Sequence, residues 1–245
     1  MLEYQAEQSS LSGKVILVTG AGDGIGRAAA IKYAEYGATV ILLGRTVKKL
    51  EHVYDEIEQA GYPQPAIIPL DLKGATEQNY KDMADTIEEQ FGKLDGLLHN
   101  ASIVGALGPF EHIDIPTAED IFKINVTSQI MVTKALLPVM RKSDSASIVF
   151  TSSGVGRKGR AYWGPYAISK FATEGMMQVL ADECEGSVVR VNSINPGATR
   201  TEMRAKAYPG EDPLKLKTPE EIMPAYLYLM SEDSKDVNGQ ELNAQ

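Results

Sequence analysis

Six short runs of this chain are apolar almost from end to end: "KVILVT" (14–19), "ATVILLG" (38–44), "AIIPL" (66–70), "LDGLLHN" (94–100), "ASIVFTS" (146–152) and "SVVRVNSIN" (187–195). A strand with one wet face alternates apolar and polar residues. A strand covered on both faces has no such need, and nearly continuous runs of this kind belong to parallel sheets sandwiched between helices. Longer stretches with helical character separate the runs, at 24–36, 46–60, 76–91, 117–141, 163–185 and 219–231. The last opens on "TPEEI", with Thr218 as N-cap, Pro219 at the first helical position and Glu221 three residues on, a capping box. Strand–helix alternation with no linker or repeat predicts an α/β protein built as one doubly wound parallel sheet, helices on both faces. Residues 1–12 read as an N-terminal arm and 13–245 as the single domain.

The 245 residues carry a net charge of −9, with acidic residues spread throughout, so a basic footprint for nucleic acid is missing. The opening "MLEYQAEQSSLSGK" has neither the charge nor the apolar core of a targeting peptide. No apolar run approaches the ~18–20 residues of a membrane span. One cysteine, Cys184, excludes an internal disulfide and reads as a small apolar helix residue in a reducing compartment. A cytoplasmic location is expected. His52, His99 and His112 lack any metal-ligand spacing, and no metal site is predicted.

"VTGAGDGIGRAAAIKYA" joins the first strand to the first helix and crowds Gly20, Gly22, Gly24 and Gly26 into the turn. Glycines there permit positive φ and close approach of a diphosphate, while the helix start offers free N–H groups. Strand before and helix after is the context a Rossmann-like nucleotide site requires. In the usual fingerprint a carboxylate about 20 residues later holds the ribose hydroxyls. Here the second strand ends in Gly44 and Arg45. A guanidinium suits a 2′-phosphate, so NADP(H) is favoured and NAD(H) is the alternative. Asp23, inside the turn, argues the other way.

"GPYAISKFATEG" (164–175) places Tyr166 and Lys170 four residues apart, on one face of a helix. Alone that spacing means little. With the glycine turn in place, the chain resembles a short-chain dehydrogenase/reductase of the ordinary ~250-residue type, and within that superfamily the bacterial YciK-type oxidoreductases. "TGAGDGIG" matches the family's Thr-Gly-x-x-x-Gly-x-Gly, which places Thr19, Gly20, Gly22, Asp23, Gly24, Ile25 and Gly26 along the dinucleotide. "DL" implies that Asp71 bonds the adenine and that Leu72 packs nearby. "HNAS" (99–102) departs from the family's Asn-Asn-Ala-Gly at His99 and Ser102 but keeps Asn100 and Ala101 as nucleotide contacts, with no catalytic part for His99. "NPGATRT" implies that Pro196, Gly197 and Thr201 line the nicotinamide end. Ser153, thirteen residues before Tyr166, and Asn125 in "IFKINV" complete the family's catalytic tetrad, and Ser152 is only a neighbour.

The resemblance implies an oxidoreductase that moves hydride between a nicotinamide and a carbonyl or secondary alcohol. The oxygen that gains charge must receive a proton. A free tyrosine has pKa about 10, and a cation one helical turn away is expected to favour its phenolate, as does the nicotinium charge. Ser153 would hold the substrate oxygen. Asn125 would distort its helix and hold a relay water. Tyr166 and Lys170 would also contact the cofactor, Lys170 at the nicotinamide ribose.

"SIVGALGPF", "GVGRKGRAYW" and the charged loop 202–218 are expected to wall the substrate site, with Ile103, Val104, Leu107, Tyr162, Trp163 and Tyr208 as an apolar and aromatic lining. Arg157, Lys158 and Arg160 form a basic cluster that either binds an anionic substrate or is solvated. The 202–218 loop is expected to order on substrate binding. By resemblance the long helices assemble a homotetramer or homodimer. The competing reading is a dinucleotide-binding sensor or scaffold without turnover. A lipid enzyme held on a membrane fits less well without an anchor.

Overall fold

The structure, a computed structural model, describes residues 4–245; the first three residues of the expected arm lie outside the described residues. In chain order the main elements are β1 (Val15–Thr19), α1 (Gly24–Glu35), β2 (Thr39–Gly44), α2 (Val47–Gln59), β3 (Ala66–Pro69), α3 (Glu77–Phe91), β4 (Gly96–His99), α4 (Ile115–Phe122), α5 (Ser128–Met140), β5 (Ala146–Thr151), α6 (Gly154–Arg157), α7 (Gly164–Glu183), β6 (Val189–Asn195), α8 (Glu202–Ala207), α9 (Met223–Met230) and β7 (Glu241–Asn243). The strands form one sheet in the order β3-β2-β1-β4-β5-β6-β7, and every neighbouring pair is parallel. The chain winds outward from β1 in both directions. The strand order therefore reverses between β1 and β4, which opens a crevice at their carboxyl ends.

Two apolar layers cover the sheet. On one face α1, α2 and α9 bury Ala28, Ala29, Ala30, Tyr33, Leu50, Val53, Ile57, Tyr226 and Leu229 against Ile16, Val18, Val40 and Leu42. The alanine run on α1 has almost no side-chain bulk, so that helix lies close to β1. On the other face α3, α5 and α7 bury Tyr80, Ile87, Leu136, Met140, Met177 and Ala181 against Leu17, Ile41, Leu97, Ile148 and Val191. Successive strand residues thus feed opposite layers, and both layers are apolar, which is why the runs do not alternate. Residues of the arm lie on the domain: Leu11 is fully buried, and the Tyr4 hydroxyl meets Ser231 at 3.0 Å and Asp233 at 2.6 Å.

Four differences separate the structure from the sequence reading. The seventh strand, β7, is three largely exposed residues, "ELN", without the apolar run that marked the other six; its register with β6 creates it. The expected helix 117–141 begins at Ile115 and is interrupted by a π-helical turn at Lys123–Thr127. The segment at 202–218, read as a charged loop, carries α8 and a 3₁₀ turn at Pro213–Lys215, clasped by a bidentate Arg204–Glu211 pair at 2.6 and 2.7 Å. At "TPEEI" the Glu221 carboxylate accepts from the Thr218 amide at 2.6 Å, but the first turn is 3₁₀, Glu220–Ile222, ahead of α9. Among the described residues no helix is long and apolar enough to cross a membrane.

Candidate active site

The crevice is a cavity of about 650 Å³ running from the β2–α2 junction to the start of α7. At its base β1 and β4 are tied by Thr19, whose hydroxyl donates to Leu98 O at 3.2 Å and accepts from the amides of Asn100 (2.9 Å) and Ala101 (3.1 Å). Gly20 and Gly24 have positive φ, and Gly20 lies against the Ala101 backbone. Gly26 is sterically the most demanding of the four. A Cβ there would sit 2.2 Å from Gly20 O and 2.6 Å from the side-chain Nδ2 of Asn100. Neither can retreat without opening the turn. Gly26→Ala is therefore expected to cost about 1–3 kcal/mol or more through overpacking, lowering Tm by about 2–4 °C per kcal/mol in a chain of this size. A thermal melt checks it.

Asp23 caps α1 by accepting from the Gly24 amide at 2.7 Å, and it is ion-paired with Lys49, one turn into α2. The hydrogen bond from Lys49 holds the Asp23 carboxyl below its usual range, and the same bond raises Lys49. The opposing charge noted in the turn is thus neutralised from within the chain. Arg45 and Thr46 line the same end of the cavity, and Thr46, the N-cap of α2, makes no side-chain capping bond. Asp71 and Leu72 form the adjoining wall.

At the inner end, Ser153, Tyr166 and Lys170 all line the cavity. Ser153 caps α6, and Tyr166 and Lys170 lie one turn apart on α7, 7% and 2% exposed. Lys170 Nζ donates to Thr151 O at 2.8 Å and lies 5.6 Å from the Tyr166 ring centre. Burial pushes the Tyr166 phenol up to about 12, and a hydrogen bond with Ser153 pulls only partly the other way. Burial brings Lys170 down to about 8, with the Glu174 carboxylate one turn further on supporting the cation. Desolvation is the larger influence on this phenol and favours its neutral form.

Asn125 sits in the π turn, fully buried. Its amide nitrogen donates to Ile103 O (2.9 Å) and Ser169 Oγ (3.0 Å), and its oxygen accepts from the Ile103 amide (2.9 Å). These bonds fix the 103 segment, and it is the neighbouring Ile124 that lines the cavity. Thr19 and Gly26 likewise shape the wall from behind it. Gly20, Gly22, Asp23, Gly24, Ile25, Arg45, Asp71, Leu72, Asn100, Ala101, Pro196, Gly197 and Thr201 line the cavity directly.

On the substrate side Ile103, Val104 and Trp163 continue the cavity, and Leu107, Tyr162, Trp163 and Tyr208 form an adjoining depression with Arg160. The basic cluster does not act as one patch. Arg157 turns inward onto Glu174 (2.9 Å), Asn243 Oδ1 (3.0 Å) and Leu242 O (3.0 Å), whereas Arg160 reaches the Tyr208 hydroxyl at 3.1 Å. Sequence reading missed Lys49, although a lysine four residues after Arg45 is the visible signal, and it missed Gln245. The Gln245 side chain donates to Pro196 O (2.7 Å) and Ala198 O (3.2 Å), bracing the loop after β6 through a contact no local pattern announces.

A dinucleotide fits what is present. The turn is backbone-lined where the diphosphate would pass, the N-terminus of α2 and an arginine stand at the adenosine end, and the buried Ser102 and Ser152 hydroxyls in the wall have no protein partner. A doubly wound parallel sheet with this glycine turn and a Ser/Tyr/Lys constellation across its crevice defines a class, and the chain belongs to the short chain dehydrogenase family, whose pattern matches residues 14–212. It is similar to the oxidoreductase YciK of Escherichia coli (strain K12), with 53% identity over 244 residues, 100% of this chain and 96% of that protein. A solved structure from Pseudomonas syringae described as a short chain dehydrogenase is 58% identical, with a TM-score of 0.99 and complete coverage of both chains. Another, from Shigella flexneri 2a and complexed with NADP, is 54% identical with a TM-score of 0.96, covering 98% of this chain and 100% of that one.

Proposed function

We propose that the chain is an NADP(H)-dependent oxidoreductase acting on a carbonyl or the matching secondary alcohol, with Tyr166 as general acid/base. The observation that carries this reading is a buried phenol and a buried ammonium one turn apart, beside Ser153, at the inner end of a cavity whose other end presents the glycine turn and Arg45. The NADP complex of the Shigella flexneri relative supports the choice of cofactor.

A bound nicotinamide supplies or takes the hydride. In the reducing direction Ser153 holds the substrate oxygen by a hydrogen bond, and the neutral Tyr166 hydroxyl gives its proton to that oxygen as negative charge develops there. Burial keeps this phenol protonated well beyond neutrality, so the acid form is present wherever reduction is measured. Lys170, protonated below about pH 8, lowers the cost of the negative charge left on the tyrosine oxygen. Asn125 acts from behind, holding the π turn and the 103 segment. Asp71 and Leu72 take the adenine end, and Pro196, Gly197 and Thr201 the nicotinamide end. In the same reading, exposed Ile130 on α5 and Ile168, Phe171 and Val179 on α7 are covered by a second copy in a homodimer or homotetramer.

The test is a panel of aldehydes and ketones with NADPH and NADH, read as loss of reduced-nicotinamide absorbance, on the parent chain and on Arg45→Ala. Turnover with NADPH is expected in the parent. Arg45→Ala should raise KM for NADPH by about tenfold or more, the scale of a lost charge-assisted phosphate contact, and leave KM for NADH nearly unchanged. A parent chain that binds NADPH but reduces nothing on the panel would favour the sensor reading.

A further inference from the structure

We infer that Lys49 is a second cation of the adenosine 2′-phosphate site, without which Arg45 could not make that site attractive to an anion. This rests on the proposed dinucleotide reading. Asp23, Arg45, Thr46 and Lys49 all line one end of the cavity. Arg45 and Asp23 carry opposite charges, and between them they leave no net attraction for a phosphate carrying close to two negative charges. Lys49 changes that balance. Its ammonium is held on the Asp23 carboxylate, its side chain is half exposed and lines the cavity, and Glu202, on α8, is the other carboxylate that acts on it.

The packing explains how the lysine reaches this place. α2 lies against the glycine turn at Gly22, where an added Cβ would sit 2.9 Å from Lys49 Cβ. The start of the lysine side chain is therefore fixed, and only its distal methylenes are free. An ammonium has three donors, so one can stay on Asp23 while another meets a phosphate oxygen. The 13-residue α2 adds its N-terminal amides, and the Thr46 hydroxyl, unused as a cap, stands beside them. Among the described residues Arg45 has no ion-pair partner of its own. The site thus combines one tethered and one untethered cation with a helix start.

Calorimetric titration of the full chain with 2′,5′-ADP and with 5′-AMP tests this without turnover. Lys49→Gln is expected to weaken 2′,5′-ADP at least tenfold and 5′-AMP less than twofold, and Lys49→Arg to recover most of the loss. The same ordering should hold for NADPH against NADH. Undiminished 2′,5′-ADP binding in Lys49→Gln would overturn the inference. Equal weakening of both nucleotides would overturn it too, since it would place the role in the shape of the turn. A parent chain that binds neither 2′,5′-ADP nor NADPH would instead bring down the dinucleotide reading itself.

Discussion

Lys170→Met is expected to melt later than the parent chain at pH 7 and to lose nearly all turnover. The lysine is 2% exposed, and burial lowers its pKa from 10.5 to about 8, equivalent to about 3 kcal/mol of preference for the neutral form. Below pH 8 the folded chain must bury the cation and carries that whole penalty. Between about 8 and 10.5 the unfolded chain binds the proton and the folded chain does not, so the contribution of this group to stability rises with pH across that window. Methionine has similar length and no charge. It gives up the bond to Thr151 O, worth about 0.5–1.5 kcal/mol, and Glu174 keeps its bonds to Arg157 and Ser193. The net gain is about 1.5–2.5 kcal/mol, at about 2–4 °C in Tm for each kcal/mol. That gain should shrink as pH rises towards 10.5. A melt at or below that of the parent would mean the cation is better solvated by its surroundings than its burial implies.

Tyr166→Phe is expected to lower kcat for reduction by about 10²–10⁴, the range of a lost general acid. The ring stays, 5.6 Å from Trp163, so the dissociation constant for NADPH should change less than twofold. The pH dependence separates the two directions. Reduction needs the neutral phenol, which burial preserves to about pH 12, so the tyrosine imposes no fall in the reduction rate between pH 6 and 9. Alcohol oxidation needs the phenolate. Its rate should climb with pH in the parent and lose that climb in Tyr166→Phe. A parallel pH profile in parent and variant would assign the proton to another group.

The parts of this molecule that were legible in its sequence are those written in local pattern. Continuous apolar runs marked six of the seven strands because both faces of the sheet are covered, and "TGAGDGIG" announced its turn because a side chain at Gly20, Gly22 or Gly26 would meet a close neighbour. The inner constellation needed the family resemblance, since four-residue spacing on α7 is common by chance. What was hidden depends on long-range contact. β7 has no apolar signature and exists through its register with β6. The partners of Arg157 lie on α7, β6 and β7, so a basic cluster in sequence became one largely buried, ion-paired arginine and two surface cations. Lys170 is visible as a neighbour of Tyr166, whereas the packing that desolvates both groups comes from residues far along the chain.

Rapid mixing of NADPH-loaded chain with a reducible aldehyde, followed as a single turnover in the parent and in Tyr166→Phe, isolates the step itself from release of products. A fast oxidation of bound NADPH in the parent that slows at least a hundredfold in the variant, with the loaded fraction unchanged, is the result this account predicts. Equal single-turnover rates in the two proteins would contradict it.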